Sequence, residues 1–320
     1  QIESFAGYAF AKGHSASYAI ESYQSLYLKA YYPIEYMVAV INNFGGYYNT
    51  ELYINEARLN GADIQAPCVN QSQWACVVKG KSVFIGLQFL YGLEQNTAKR
   101  LLNNRLAHGP FLNFDDFVKR LPISLDQISI LIKINAFRSF NPNKRELLWE
   151  AHTKLEPKQQ KQPTVNLFDI SPKSYHIPCL NSIMLENAFD EIELLGFPLC
   201  SPFDLLEMTV PEKLYAKDLP NFINQNINIT AYMITLKRTR TKKGDQMYFG
   251  TFIDMEGRFV DTVHFPNIVQ KYPIIGRGVY KISGKVVEEF DAIIVEVSHI
   301  KHLAMITDPR YSNTPNKIAS

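Results

Sequence analysis

INITAYMITLKRTRTKKGDQMYFGTFID, residues 227–254, is two strands and the turn between them. Apolar side chains recur from Ile227 to Leu236, the run becomes basic, and Lys242–Lys243–Gly244 breaks it before Met247, Tyr248 and Phe249 resume a strand pattern. Extended runs rich in Ile, Tyr, Phe and Thr, bounded by a glycine turn, are strand signals. Three more follow, GRFVDTVHF, GVYKISGKVVEE and FDAIIVEVSHIKHL, with a short helix near Asn267–Tyr272 between the first two.

Five alternating strands with a helix between the third and fourth are met most economically by an OB-fold barrel, placed at residues 221–306 with a tail at 307–320. The region upstream reads as mainly helical, so the fold class is multidomain: an α-helical region followed by an all-β barrel. The first hairpin of the barrel concentrates Lys237, Arg238, Arg240, Lys242 and Lys243 beside Tyr248 and Phe249. Charge for phosphates and rings for bases are what a single strand of nucleic acid requires. The bland alternative is a charged tip that keeps the protein soluble. His264, His299 and His302 lack a cysteine or carboxylate at ligand spacing, so no metal is assigned.

Composition sets the limits. With 320 residues, 46% apolar and 20% charged, the chain can build two or three cores. The net charge of +2 makes any nucleic-acid affinity a matter of local patches. Cys68, Cys76, Cys179 and Cys200 form no CxxC pair, which argues against a zinc ribbon or a disulfide framework and for a reducing cytoplasm. No signal peptide or long apolar span points to a membrane. Gln1 reads as the middle of something already under way, so a fragment of a longer protein is expected.

Working outward, Asn187–Leu206 predicts a helix ending at Gly196, in a helical connection placed at 187–220. Its Asp190, Glu191 and Glu193 read as a solvated face, since no second carboxylate cluster accompanies them. Residues 151–186 read as a polar linker that holds an apolar island, Val165–Asn166–Leu167–Phe168, which either docks on its own domain or waits for a partner's groove. Residues 71–150 are helical with short loops after a small hairpin signal around Lys79–Gly80–Lys81. Residues 1–70 hold the densest chemistry, Phe5–Met37, FAGYAFAKGHSASYAIESYQSLYLKAYYPIEYM. There Lys12, Gly13 and His14 form a loop, Ser15 and Ser17 offer helix caps, and Tyr18 opens an amphipathic pattern stopped by Pro33. A cationic loop at a helix N-terminus suits phosphate; a solvated turn is its ordinary alternative.

That stretch resembles the bacterial DNA polymerase III α subunit family, whose pattern FAGYxFxKxHxxxYxxxSYQxxxLKxxYPxEFM it matches at Phe5, Ala6, Gly7, Tyr8, Phe10, Lys12, His14, Tyr18, Ser22, Tyr23, Gln24, Leu28, Lys29, Tyr32, Pro33, Glu35 and Met37. EARLNGADIQAPCVNQS and the Arg238–Gly257 segment extend the likeness. It implies distal fingers at 1–70, a pair of helix-hairpin-helix units at 71–150, a clamp-binding linker and an OB domain. Lys12, His14 and Tyr18 would then face nucleotide or template-primer; Lys99, Arg100, Arg105 and Lys133 the duplex; Lys237, Arg238, Arg240, Lys242, Lys243, Tyr248 and Phe249 a single strand; and Asn166, Leu167 and Phe168 the sliding clamp. The hairpins depart from the family: Tyr91–Gly92–Leu93–Glu94 lacks two glycines, and Asn135 stands where a glycine is usual. The first hairpin therefore reads as packing or as weak duplex contact.

The implied parent is a nucleotidyltransferase whose Mg ions sit in an upstream palm, so this chain alone is expected to extend no primer. Implied partners are DNA, the clamp and other replisome or repair polymerase subunits. The alternatives are a non-catalytic DNA-binding or clamp-adaptor module, and a piece of a shorter error-prone polymerase.

Overall fold

The computed structural model describes residues 12–155, 184–210, 214–289 and 292–310, in two compact units. The first unit holds three helices, α1 (Lys12–Tyr31), α2 (Pro33–Asn42) and α3 (Thr50–Leu59), and three short strands, β1 (Asp63–Gln65), β2 (Val77–Lys79) and β3 (Ser82–Phe84). α1 stops at Tyr31, ahead of Pro33 as expected, and Pro33 itself stands at the first position of α2, where its missing N–H costs nothing. Met37, Val38, Ile41, Leu52, Ile54 and Ala57 close α2 and α3 on one another. The expected hairpin exists as β2 and β3, and β1 adds to it in parallel, Ile64 opposite Val83. The Asn42 side chain holds the entry to β2 through both main-chain groups of Cys76, at 2.9 and 2.7 Å.

The second unit begins with the helical region, comprising α4 (Gln95–His108), α5 (Phe114–Arg120), α6 (Leu125–Lys133) and α7 (Lys144–Leu155), and joined by α8 (Met184–Leu195). Asn113 caps α5 and Ser124 caps α6, each accepting a main-chain N–H from three residues on. The core is aromatic at its centre, with Phe117 set edge-on to both Phe111 and Phe137 at 4.8 and 4.9 Å between ring centres. Leu194 of α8 belongs to the same core.

Five strands then form a closed barrel: β4 (Asn226–Arg240), β5 (Gln246–Ile253), β6 (Phe259–His264), β7 (Val279–Glu289) and β8 (Ala292–His302). Their order is β4-β5-β6-β8-β7, with β7 returning to β4 and α9 (Pro266–Lys271) between β6 and β7. Only β6 and β8 pair in parallel. This is the OB-fold expected from the strand spacing. Its interior is filled by Ile227, Ile229, Ala231 and Met233 of β4, Phe252, Val260, Tyr280, Ile282, Val286, Val295 and Val297.

Candidate nucleic-acid interface

The basic hairpin is present as the β4–β5 turn. Thr241 N–H donates to Asp245 O at 2.9 Å and Gly244, at φ +90°, closes the loop with Lys242 and Lys243 exposed at its tip. The register divides what the sequence grouped together. In β4 odd-numbered residues face the interior as far as Met233; a bulge between Met233 and Thr235 then shifts the alternation, so that Leu236 packs inward instead. Beyond it Lys237 stands opposite Phe249 on the outer face of the sheet, while Arg238 and Arg240 stand opposite Tyr248 and Gln246 on the other face. The Arg238 guanidinium lies 5.7 Å from the Tyr248 ring centre. Phe249 remains 42% exposed, which leaves a ring face for a ligand.

Across from this hairpin, β6 adds an aromatic that sequence reasoning missed. Phe259 is also 42% exposed and lies on the same outer face as Phe249, in register with Ile253. A signal existed: Phe259 shares its parity with exposed Asp261, while Val260 and Thr262 take the buried parity.

In the helical region the first hairpin spends three of its four main-chain donors on its own fold. The Tyr91 N–H goes to Leu194 O at 2.8 Å, that of Leu93 to Leu90 O at 3.3 Å and that of Glu94 to the Gln127 side chain at 2.8 Å. Gln127 also donates to Gly92 O at 2.9 Å, so one buried amide from α6 clamps both sides of the turn. Glu94 sits at the N-cap of α4, its carboxylate 3.4 Å from Thr97 Oγ1, putting a negative charge where a phosphate would have to come. The second hairpin turns at Asn135, which takes φ +61°, the left-handed conformation that asparagine tolerates.

The four cations assigned to this region separate. Lys99 and Arg100 are exposed on α4, Arg100 reaching Thr97 Oγ1 at 3.3 Å. Lys133 stands half-buried beside Glu193 at 3.5 Å. Arg105 serves its own chain: its guanidinium donates to Val69 O at 2.7 Å and Ser72 O at 2.8 Å, and burial lowers its pKa. Two main-chain carbonyls hold it against the fold, which gives it a bracing role.

The acidic run on α8 is a correction. Asp190 is buried, not solvated, because it pairs with buried Lys144 of α7 and accepts from Arg310 at 2.7 Å. Arg310 also reaches Glu193 at 2.7 Å and is held by Asp308, whose hydrogen bond raises its pKa further. Lys144 in turn donates to Lys133 O at 3.0 Å, so the segment after the barrel, α8 and the second hairpin are tied by one charge network.

In the first unit the expected loop is already helix. Helix α1 already includes Lys12, so Gly13, His14, Ser15 and Ser17 all lie within it and neither serine is a cap. His14 is exposed and Tyr18 is 65% exposed; the Lys12 side chain lies outside the described residues. So do Asn166, Leu167 and Phe168. Among the described residues no group of His, Cys, Asp and Glu could hold a metal, and no helix is long and apolar enough to cross a membrane.

A family model described as a helix-hairpin-helix motif matches residues 61–147. The chain is 28% identical over 319 residues to the error-prone DNA polymerase of Bdellovibrio bacteriovorus, covering 89% of this chain and 29% of that one. It is 28% identical over 288 residues to the DNA polymerase III subunit alpha of Treponema pallidum, covering 84% and 24%. The corresponding subunit of Thermus aquaticus is 33% identical over 164 residues, covering 48% and 13%. The chain thus spans less than a third of the length of these relatives, and a polymerase III α subunit and an error-prone polymerase match it at the same identity. Among solved structures, the protein PriB from Ralstonia solanacearum aligns at 14% identity and a TM-score of 0.20, covering 24% of this chain and 95% of that one. The resemblance to the C-terminal part of bacterial DNA polymerase III α subunits therefore holds over most of the chain.

Proposed function

We propose that this chain, similar over most of its length to bacterial DNA polymerase III α subunits and error-prone DNA polymerases, is the nucleic-acid-handling segment of such a polymerase. The barrel holds single-stranded DNA, the helical region steadies the template-primer duplex, and Asn166–Leu167–Phe168 meets the sliding clamp. One observation carries the reading: on a closed OB barrel, exposed Lys237 stands opposite the exposed ring of Phe249, with Lys242 and Lys243 at the tip of the same hairpin and Arg238 and Arg240 adding charge on its other face. Charge follows the phosphates and the ring accepts a base, a pairing indifferent to sequence. In the helical region Lys99, Arg100 and Lys133 supply phosphate contacts that position rather than specify. In α1, Lys12, His14 and Tyr18 belong to the nucleotide or template-primer side, and the polymerase's chemistry resides in the remainder of the longer protein.

Anisotropy of fluorescein-labelled oligo(dT) with the full chain, titrated across salt, tests the reading. Binding is expected to weaken with salt. Replacing Lys237, Arg238, Lys242 and Lys243 by glutamine is expected to weaken it at low salt and to flatten the log–log slope by about 0.7 for each phosphate no longer neutralised. An affinity shared by wild type and the fourfold variant at every salt concentration overturns it.

A further inference from the structure

The C-terminal half of α8 carries Asp190, Glu191 and Glu193 and no basic residue, the reverse of what the negative end of a helix favours. Glu191 is used by its own chain, accepting the Leu199 N–H at 2.7 Å. The other two carboxylates meet cations from elsewhere. Lys133, in the last turn of α6 just before the second hairpin, brings Nζ to 3.5 Å from Glu193 Oε1. The main chain of Lys133 is fixed, because Lys144 donates to its carbonyl at 3.0 Å. Its side chain, 39% exposed, has a long and therefore weak ion pair.

The second oxygen of Glu193 is already taken. Oε2 accepts from Arg310 Nη1 at 2.7 Å, and the same nitrogen reaches Asp190 Oδ1 at 2.7 Å. Asp308 accepts along the other edge of the guanidinium, at 3.0 Å from Nε and 2.7 Å from Nη2, which aims Nη1 at α8. Beside the second hairpin three carboxylates, Asp190, Glu193 and Asp308, thus meet three cations, Lys133, Lys144 and Arg310. Without Arg310 the carboxylates outnumber the cations, and Glu193 turns its full charge on Lys133.

We propose that Arg310 is a positioning residue for duplex binding: by holding Glu193 it leaves the Lys133 ammonium able to exchange its long ion pair for a backbone phosphate of the template-primer. The inference rests on the reading of Lys133 as a phosphate contact and adds the residue that makes the contact possible. Arg310 itself touches no DNA. It acts through Glu193, whose carboxylate competes with phosphate for Lys133 unless Arg310 neutralises it.

Anisotropy of a blunt-ended, fluorescein-labelled duplex with the full chain, titrated across salt, decides it. Lys133→Gln and Arg310→Gln are each expected to weaken binding about threefold to tenfold at low salt and to flatten the log–log slope by about 0.9, the share of one phosphate. The double variant Lys133→Gln/Arg310→Gln is expected to bind no worse than either single one, because both changes remove the same contact. Adding Glu193→Gln to Arg310→Gln is expected to restore the wild-type affinity and slope. Weakening by Lys133→Gln with wild-type binding by Arg310→Gln overturns this proposal alone. So do losses that add in the double variant, or a loss in Arg310→Gln that Glu193→Gln leaves in place, which would make the arginine a brace of the fold. Wild-type binding by Lys133→Gln, or no duplex binding by the wild type, overturns the duplex reading of Lys133 and this proposal with it.

Discussion

His264 is 1% exposed at the inner face of β6, with Nε2 2.9 Å from Thr262 Oγ1 and its ring near Phe252. Burial lowers its pKa from 6.5 to about 4. Between those values the unfolded chain takes up a proton that the native barrel refuses, so stability is full above pH 6.5 and falls as the pH drops toward about 4. The whole loss is about 3 kcal/mol. Urea unfolding on either side of that window should show it, and His264→Asn should flatten the slope; an equal slope in both proteins would assign the acid sensitivity elsewhere. At this scale legibility depended on whether a residue acts through its own backbone or through a distant partner. The left-handed turn at Asn135 could be anticipated from the residue type. The Gln127 amide that occupies the first hairpin could not, because its partners lie 33 and 35 positions away.

Among the elements, α8 is tied to several separate parts of its unit. Through Leu194 O it accepts from the first hairpin, through Asp190 it meets Lys144 of α7, and through Asp190 and Glu193 it receives Arg310 from beyond the barrel. Lys144 and Asp190 are each 5% exposed, so removing one partner strands a charge away from water. Lys144→Met is expected to cost about 3 kcal/mol, and adding Asp190→Asn to recover part of it. Urea unfolding of the three proteins measures this; wild-type stability in Lys144→Met would mean that Arg310 alone satisfies the carboxylate. The helix itself was readable from its apolar spacing and from Gly196, which ends it at φ +86°. Its acidic residues were misjudged because the cations that bury Asp190 lie 46 and 120 positions away. β1 escaped notice for a different reason: three residues are too few to show a period.

For the molecule as a whole, the barrel was the most legible part, since strand spacing and glycine turns are local signals that survive into the closed sheet. The division of its cations between two faces was not, because a bulge changes parity without marking the sequence. The linker brings a test at this scale. Leu167→Ala/Phe168→Ala is expected to abolish capture of the full chain by the cognate bacterial sliding clamp while leaving oligo(dT) binding intact. Undiminished capture would instead favour docking of the island on its own domain.

The extra residue in β4 has a consequence for how this barrel tolerates change. Loss of Ile234, the residue accommodated between Met233 and Thr235, would straighten the strand yet keep every later side chain on its present face. Loss of Leu236 would do the opposite, turning Lys237 inward and carrying Arg238 and Arg240 to the side of Phe249. Two deletions two positions apart, alike in composition and length, would thus be read by the sheet as a change of aim in one case and an exchange of surfaces in the other.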